Sequence, residues 1–223
     1  MEARINVLLD LDNTIINALE EGERLALPAY FQDKFDHKDM VPFFRIFARP
    51  YLQEFLDYLF ANFNVSVFTA AEHSYAKFII DNFIKPPNKP GRELSVVFFR
   101  YHFEISEKLY EKTKGLEILW DFFHVQNFYP CNTVIIDDLR DVKESNPYNT
   151  LAIYPFDMMV LDEESDKKPK MRPNWDAVND QELMVVMKKL ADLKKMYEAT
   201  DCIKNIYNGQ PDYSPILQTL GYC

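Results

Sequence analysis

The stretch Ile5-Asn6-Val7-Leu8-Leu9-Asp10-Leu11-Asp12-Asn13-Thr14-Ile15 drives an apolar strand into two carboxylates that stand one residue apart. Alternate side chains of an extended chain share a face, so Asp10 and Asp12 can aim at one spot just beyond the end of a buried strand. Two acids so placed suit phosphoryl transfer. One serves as an aspartyl nucleophile, and the other gives a proton to the leaving oxygen and later takes one from water. A strand running into an Asp/Asn turn is the plainer alternative for this stretch taken alone.

Beyond it, short apolar runs alternate with longer amphipathic ones, which predicts an α/β sheet. Strands are expected at Ile5 to Leu9, Val65 to Phe68, Leu94 to Phe99, Thr133 to Ile136 and Thr150 to Tyr154. Helical spacing links Leu52, Phe55, Leu56 and Leu59; Tyr75, Phe78, Ile79 and Phe83; and Leu116, Leu119, Trp120 and Phe123. Asn179 followed by Glu182 is a capping-box variant that opens a last helix with the stripe Leu183, Val186, Met187, Leu190 and Leu193. All these stripes read as core.

Three expected strands end in a polar residue. The first ends in Asp10, the second in Thr69 and the fourth in Asp137 and Asp138. Ligands of an open parallel sheet sit outside the carboxyl ends of its strands, which would gather these residues in one crevice. A lysine is needed to balance the charge. Lys114 is best placed, with Lys112 and Lys108 as alternatives. Even so, Asp10, Asp12, Asp137 and Asp138 would repel one another and any phosphate without a divalent ion. Oxygen ligands shared with phosphate and water suit Mg²⁺ over Zn²⁺ or Ca²⁺.

Composition narrows the class. With 223 residues, 48% of them hydrophobic, the chain can bury a core. A formal charge of -10 argues against a nucleic-acid partner, since phosphate backbones need a basic face. No apolar stretch is long enough to span a membrane, and Met1 to Arg4 leads at once into a strand, without room for a signal peptide. Cys131, Cys202 and Cys223, odd in number, far apart and without a CxxC pair, point to a reducing compartment. Four scattered histidines make no zinc site. The expectation is an intracellular protein, cytoplasmic or nuclear.

The assembled residues resemble the haloacid dehalogenase superfamily. LDLDNT is similar to its first motif, Phe68-Thr69-Ala70 to its second, Lys114 to its third and Ile135 to Asp138 to its fourth. Arg49 to Leu56, FTAAEHSYA and NWDAVNDQELMVVMKKL resemble, in order and spacing, the Fcp/Scp group. These are the phosphatases of the RNA polymerase II carboxyl-terminal domain and their NLI-interacting-factor-like relatives. The resemblance implies a Rossmannoid parallel sheet flanked by helices, with a small insert and without a large cap. It also implies a Mg²⁺-dependent protein serine/threonine phosphatase that works through an aspartyl phosphate on a phosphoprotein or phosphopeptide. Carried over, it makes Asp10 the phosphoryl acceptor, Asp12 the acid/base, and Thr69 and Lys114 the groups that hold the phosphoryl oxygens. Asp10, Asp12 (through its carbonyl), Asp137 and Asp138 form the metal site, with Lys114 pairing with Asp137. Thr14, Ala70 and Arg100 are the expected substrate contacts, Arg100 matching an arginine beside the group's substrate groove.

Some positions depart from that pattern. Asn13 stands where the group commonly has Glu, Ala71-Glu72 follows the second motif, and EKTKG replaces the usual lysine motif. The domain is expected over residues 1–200, with insertions near 85–112 and 155–173, and a C-terminal extension over 201–223. Asp157 to Pro173 reads as a charged surface loop, in which Lys167 to Lys170 resembles a nuclear-import signal. Two other readings compete. One is a non-catalytic adaptor, which would lack the nucleophile or the acid; the other is a phosphatase for non-protein esters.

Overall fold

The computed structural model describes residues 4–162, 170–200, 202 and 203. In chain order the strands are β1 (Asn6–Leu9), β2 (Ile16–Glu20), β3 (His37–Met40), β4 (Phe44–Ala48), β5 (Asn64–Phe68), β6 (Val97–Phe98), β7 (Thr133–Asp137), β8 (Thr150–Ala152), β9 (Met159–Asp162) and β10 (Lys170–Pro173). The helices are α1 (Glu21–Ala26), α2 (Ala29–Gln32), α3 (Leu52–Asn62), α4 (His73–Ile79), α5 (Arg100–Tyr110), α6 (Arg140–Ser145) and α7 (Glu182–Thr200). Single π-helical turns at Ile80–Ile84 and Ile118–Phe122 extend α4 and follow the Lys114 loop.

The central sheet has five parallel strands in the order β6-β5-β1-β7-β8. All five strands expected from the sequence are in it. Both faces are covered, so β1 is buried along its whole length, as a parallel strand between two layers must be. Val7 and Leu9 join Val65, Val67, Val134 and Ile136 in the core under α3, α4 and α7. Leu8 and Ile135 face the opposite layer, among Leu116, Leu119 and Val142. This alternation aims the site. Asp10 lies two residues beyond Leu8 and Asp137 two beyond Ile135, so both carboxylates continue the face that packs on the Lys114 segment. From β1 the chain runs to β5 and β6 on one side, and then crosses to β7 and β8 on the other. The crevice at this reversal is where ligands of such sheets bind.

Several expectations need correction. An antiparallel sheet, β2-β4-β3, leaves the central sheet directly after Asp12 and Asn13, and has its own small core around Phe31, Phe35, Phe47 and Phe156. Within the expected charged loop, β9 and β10 pair antiparallel from Met159↔Pro173 to Asp162↔Lys170. Lys170 and Arg172 are exposed and Asp162 is half-buried, while the backbone carries the pairing, which composition does not reveal. Lys167 to Pro169 and residues 204–223 lie outside the described residues. The strand expected over Leu94 to Phe99 is formed by Val97 and Phe98, and Arg100 opens α5 directly after it. At the start of α7 it is Asp180, in place of Asn179, whose carboxylate accepts the Glu182 N–H at 3.0 Å. Cys131 and Cys202 form a disulfide with an S–S distance of 2.06 Å across a separation of 71 residues. The end of α7 returns to the loop before β7, where Ile203 N–H also donates to the Cys131 carbonyl at 2.8 Å. The cysteine count therefore says nothing about the compartment. No helix among the described residues is long and apolar enough to cross a membrane.

Candidate active site

Asp10 is 5% exposed and stands at the carboxyl end of β1. The Lys114 ammonium donates to Asp10 Oδ1 at 2.6 Å and to Asp137 Oδ2 at 2.7 Å, joining the first and fourth motifs across 104 and 23 residues. Lys114 is almost wholly buried and has a left-handed backbone, with φ 50°. Its loop is fixed by several bonds. Gly115 N–H donates to Ser106 Oγ of α5 at 2.7 Å, and Ser106 Oγ donates to the Lys112 carbonyl at 2.9 Å. The Asn146 amide takes the Leu116 N–H at 2.9 Å and donates to the Lys114 carbonyl at 3.1 Å. Lys112 turns away to pair with Glu117, and Lys108 belongs to the last turn of α5. Of the three candidate lysines, Lys114 is the one brought to the acids.

Asp137 is fully buried; its second oxygen accepts the Leu139 N–H at 2.9 Å. The Thr14 hydroxyl donates to Asp138 Oδ1 at 2.9 Å, with a longer contact to Asp10 Oδ2 at 3.4 Å. Thr14, expected to meet substrate, is thus buried and turned to the acids. Thr69 follows β5 and accepts the Ala71 N–H on its own hydroxyl at 3.1 Å, an ST-turn that shapes the loop. Arg100 is exposed and leans on that loop. Its Nε donates to the Ala70 carbonyl at 3.1 Å, and its guanidinium lies 3.2 Å from Glu72.

Burial dominates the electrostatics. It pushes the Asp12 carboxyl from 3.8 up to about 6; the Tyr75 hydrogen bond opposes the rise and the Asp10 charge adds to it. Asp137 and Asp138 are likewise raised, by burial first and the Asp10 charge second. Burial works against the charge on Lys114, but Asp10 and Asp137 outweigh it and hold the ammonium above its usual range. One ammonium among four acids leaves the pocket over-supplied with negative charge. Oxygens of Asp10, Asp137 and Asp138 lie within 4.8 Å of one another. This close, hard-oxygen donor set fits a divalent ion of the Mg²⁺ class. The Asp12 carboxylate is not part of that cluster; its Oδ1 instead accepts the Tyr75 hydroxyl at 2.5 Å.

Two supporting groups escaped the sequence reading. Tyr75 was assigned to the core stripe of α4, and its position there is right; nothing in the periodicity reveals where the hydroxyl goes. Arg49 is 1% exposed. It donates to the Thr14 carbonyl at 2.9 Å and, bidentate, to Asp180 at 2.9 and 2.8 Å. Asn13 has φ 57°, a left-handed turn that Asn tolerates better than Glu. Its amide donates to Asp157 at 3.0 Å and its carbonyl accepts the Phe156 N–H at 2.6 Å.

The sequence profile of NLI interacting factor-like phosphatases matches residues 5–200. The chain belongs to this phosphatase family. It is 44% identical over 169 residues to a protein of Invertebrate iridescent virus 6 described provisionally as "CTD phosphatase-like protein 355R", a match covering 73% of this chain and 92% of that protein. The protein of the same description from Invertebrate iridescent virus 3 is 34% identical over 197 residues, covering 84% and 96%. Among solved structures, the RNA polymerase II CTD phosphatase Fcp1 superposes with a TM-score of 0.58 at 20% identity, over 94% of this chain and 68% of that one. A variant of the fission yeast Fcp1 bound to beryllium fluoride gives 0.61 at 16% identity, over 98% and 70%. These likenesses establish a haloacid dehalogenase-like fold for this member of the family.

Proposed function

We propose that this chain is a metal-dependent protein serine/threonine phosphatase that passes the phosphoryl group through Asp10. The observation that carries the reading is the buried bridge from Lys114 to both Asp10 and Asp137, with Asp138 braced beside it by Thr14. Such a site holds a carboxylate nucleophile fixed in place, with a cation beside it to offset phosphate charge. Asp10, Asp137 and Asp138 would hold Mg²⁺, with Asp12 contributing its carbonyl. When bound, the ion would offset the charge of the acids and of the phosphate.

The protein supplies the rest. An Asp10 carboxylate oxygen forms a bond to phosphorus as the bond from phosphorus to the ester oxygen breaks. Asp12 delivers its proton to that departing oxygen. Its raised carboxyl keeps a protonated fraction near neutral pH. Water then attacks phosphorus, Asp12 recovers a proton from it, and the bond to Asp10 breaks to release phosphate. Lys114 and the Thr69 segment steady the phosphoryl oxygens throughout.

A phosphoprotein substrate is supported by the surface beside Asp12. The turn between β3 and β4 exposes Val41 and Phe43 at 81% and 59%. The neighbouring Phe44 packs edge-on against Tyr75, which itself reaches Asp12. Apolar residues flanking a phosphoserine would find contact there. The names of the viral relatives and of Fcp1 support the same substrate class, with the polymerase carboxyl-terminal domain as one candidate. Purified protein with Mg²⁺ should hydrolyse both an aryl phosphate and a phosphoserine peptide, losing both activities in EDTA and in Asp10→Asn. Full activity in that variant would refute the mechanism.

A further inference from the structure

Among the described residues, one protein hydrogen bond reaches the Asp12 carboxylate, and it comes from outside the catalytic set. Tyr75 lies in the first turns of α4, just after the Thr69 loop, and its hydroxyl donates to Asp12 Oδ1 at 2.5 Å. The ring is held as well. It is partly buried against the main core, and meets Phe44 of β4 edge-on at 5.4 Å between centroids with an interplanar angle of 79°. A hydroxyl carried on a ring gripped by a helix and by a neighbouring strand is a fixed donor. A carboxylate tied through one oxygen loses torsional freedom, and its other oxygen is left for proton transfer. Proton donation depends on that oxygen standing within hydrogen-bonding reach of the leaving group at bond cleavage.

We propose that Tyr75 is the positioning residue for the general acid, anchoring Asp12 through Oδ1 so that Oδ2 serves the departing oxygen. The consequence is a substrate preference. A serine alkoxide is a poor leaving group that must be protonated as the bond to phosphorus breaks, whereas a dinitrophenolate departs without help. Tyr75 therefore matters for alkyl phosphate esters and hardly at all for activated aryl esters. This inference rests on Asp12 being the general acid.

The test measures kcat/KM, which reports steps up to formation of the phosphoenzyme, for a phosphoserine peptide and for 2,4-dinitrophenyl phosphate with Mg²⁺. Tyr75→Phe keeps the ring and its contact with Phe44, so the fold is retained. Its expected effect is a loss of about tenfold or more on the peptide, the size of a hydrogen bond to a charged group, and less than about twofold on the aryl ester. In an Asp12→Asn background the same change should cost nothing further on the peptide, because Tyr75 acts through Asp12. Equal losses on both esters, or an additive loss in the double variant, would overturn the role of Tyr75. Asp12→Asn alone separates the two levels. If it slows both esters equally, the acid assignment fails; if it is selective for the peptide and Tyr75→Phe is not, only the positioning role fails.

Discussion

Asp12→Asn should make the metal-free protein more stable while disabling it. Burial holds the Asp12 carboxyl at about 6 in the folded chain, against 3.8 for the free group. An acid whose folded value is raised is favoured in its protonated form by folding. Its penalty is absent below about pH 4, where folded and unfolded chains both carry the proton, and complete above about pH 6. At about 1.4 kcal/mol per pH unit between the two values, the penalty at pH 7 comes to about 3 kcal/mol. Asparagine keeps an oxygen for the Tyr75 hydroxyl and carries no charge, so the penalty disappears. Urea unfolding of both proteins in EDTA, at low protein concentration because the sequence pI is near 4.9, should show a gain below about 1 kcal/mol at pH 4 that grows to about 3 kcal/mol at pH 7. A variant less stable than the parent at pH 7, or a difference that does not change with pH, would refute this picture of the site.

Other outcomes follow from the same contacts. Lys114→Met leaves Asp10 and Asp137 facing each other without their ammonium; it should cost about 3 kcal/mol or more in urea unfolding at pH 7, and less at pH 4. For the phosphoserine peptide, kcat/KM should fall as pH rises through about 6, following the protonated fraction of Asp12. In Asp12→Asn that limb should be missing, which separates it from ionisation of the substrate itself. Arg49→Ala strands the buried Thr14 carbonyl and leaves the half-buried Asp180 without its bidentate partner, so a loss of about 2 kcal/mol is expected, together with a raised requirement for Mg²⁺ as Thr14 loosens its hold on Asp138. Alkylation of the unfolded, unreduced chain should label one cysteine, rising to three after reduction, since Cys131 and Cys202 are bonded to each other.

The parts of the fold legible in the sequence are those with two covered faces. Parallel strands between two layers appear as short, mainly apolar runs, which is why all five strands of the central sheet were readable, from Ile5 to Leu9 through Thr150. The β2-β4-β3 sheet was not, because β3 is the stretch His-Lys-Asp-Met, with Lys38 and Asp39 exposed and no apolar alternation to follow. The pairing of β9 with β10 was hidden by its charges. In the site, Asp10, Asp12 and Asp138 announced themselves by spacing, and Lys114 could be ranked above Lys112 and Lys108 but not separated from them. The separation comes from tertiary bonds, to Ser106 and Asn146, that leave no local mark. Tyr75 and Arg49 show the same limit. Each sits where the local pattern asks for it, yet their partners, Asp12 and Asp180, lie 63 and 131 residues away.

The central claim is that Asp10 carries the phosphoryl group. It is tested most directly by acid-quenching a single turnover with ³²P-labelled phosphoserine peptide and mapping the label. The expected result is a hydroxylamine-labile acyl phosphate on the peptide containing Asp10, absent from Asp10→Asn. Label on any other residue, or full turnover by a protein that is never labelled, would contradict it.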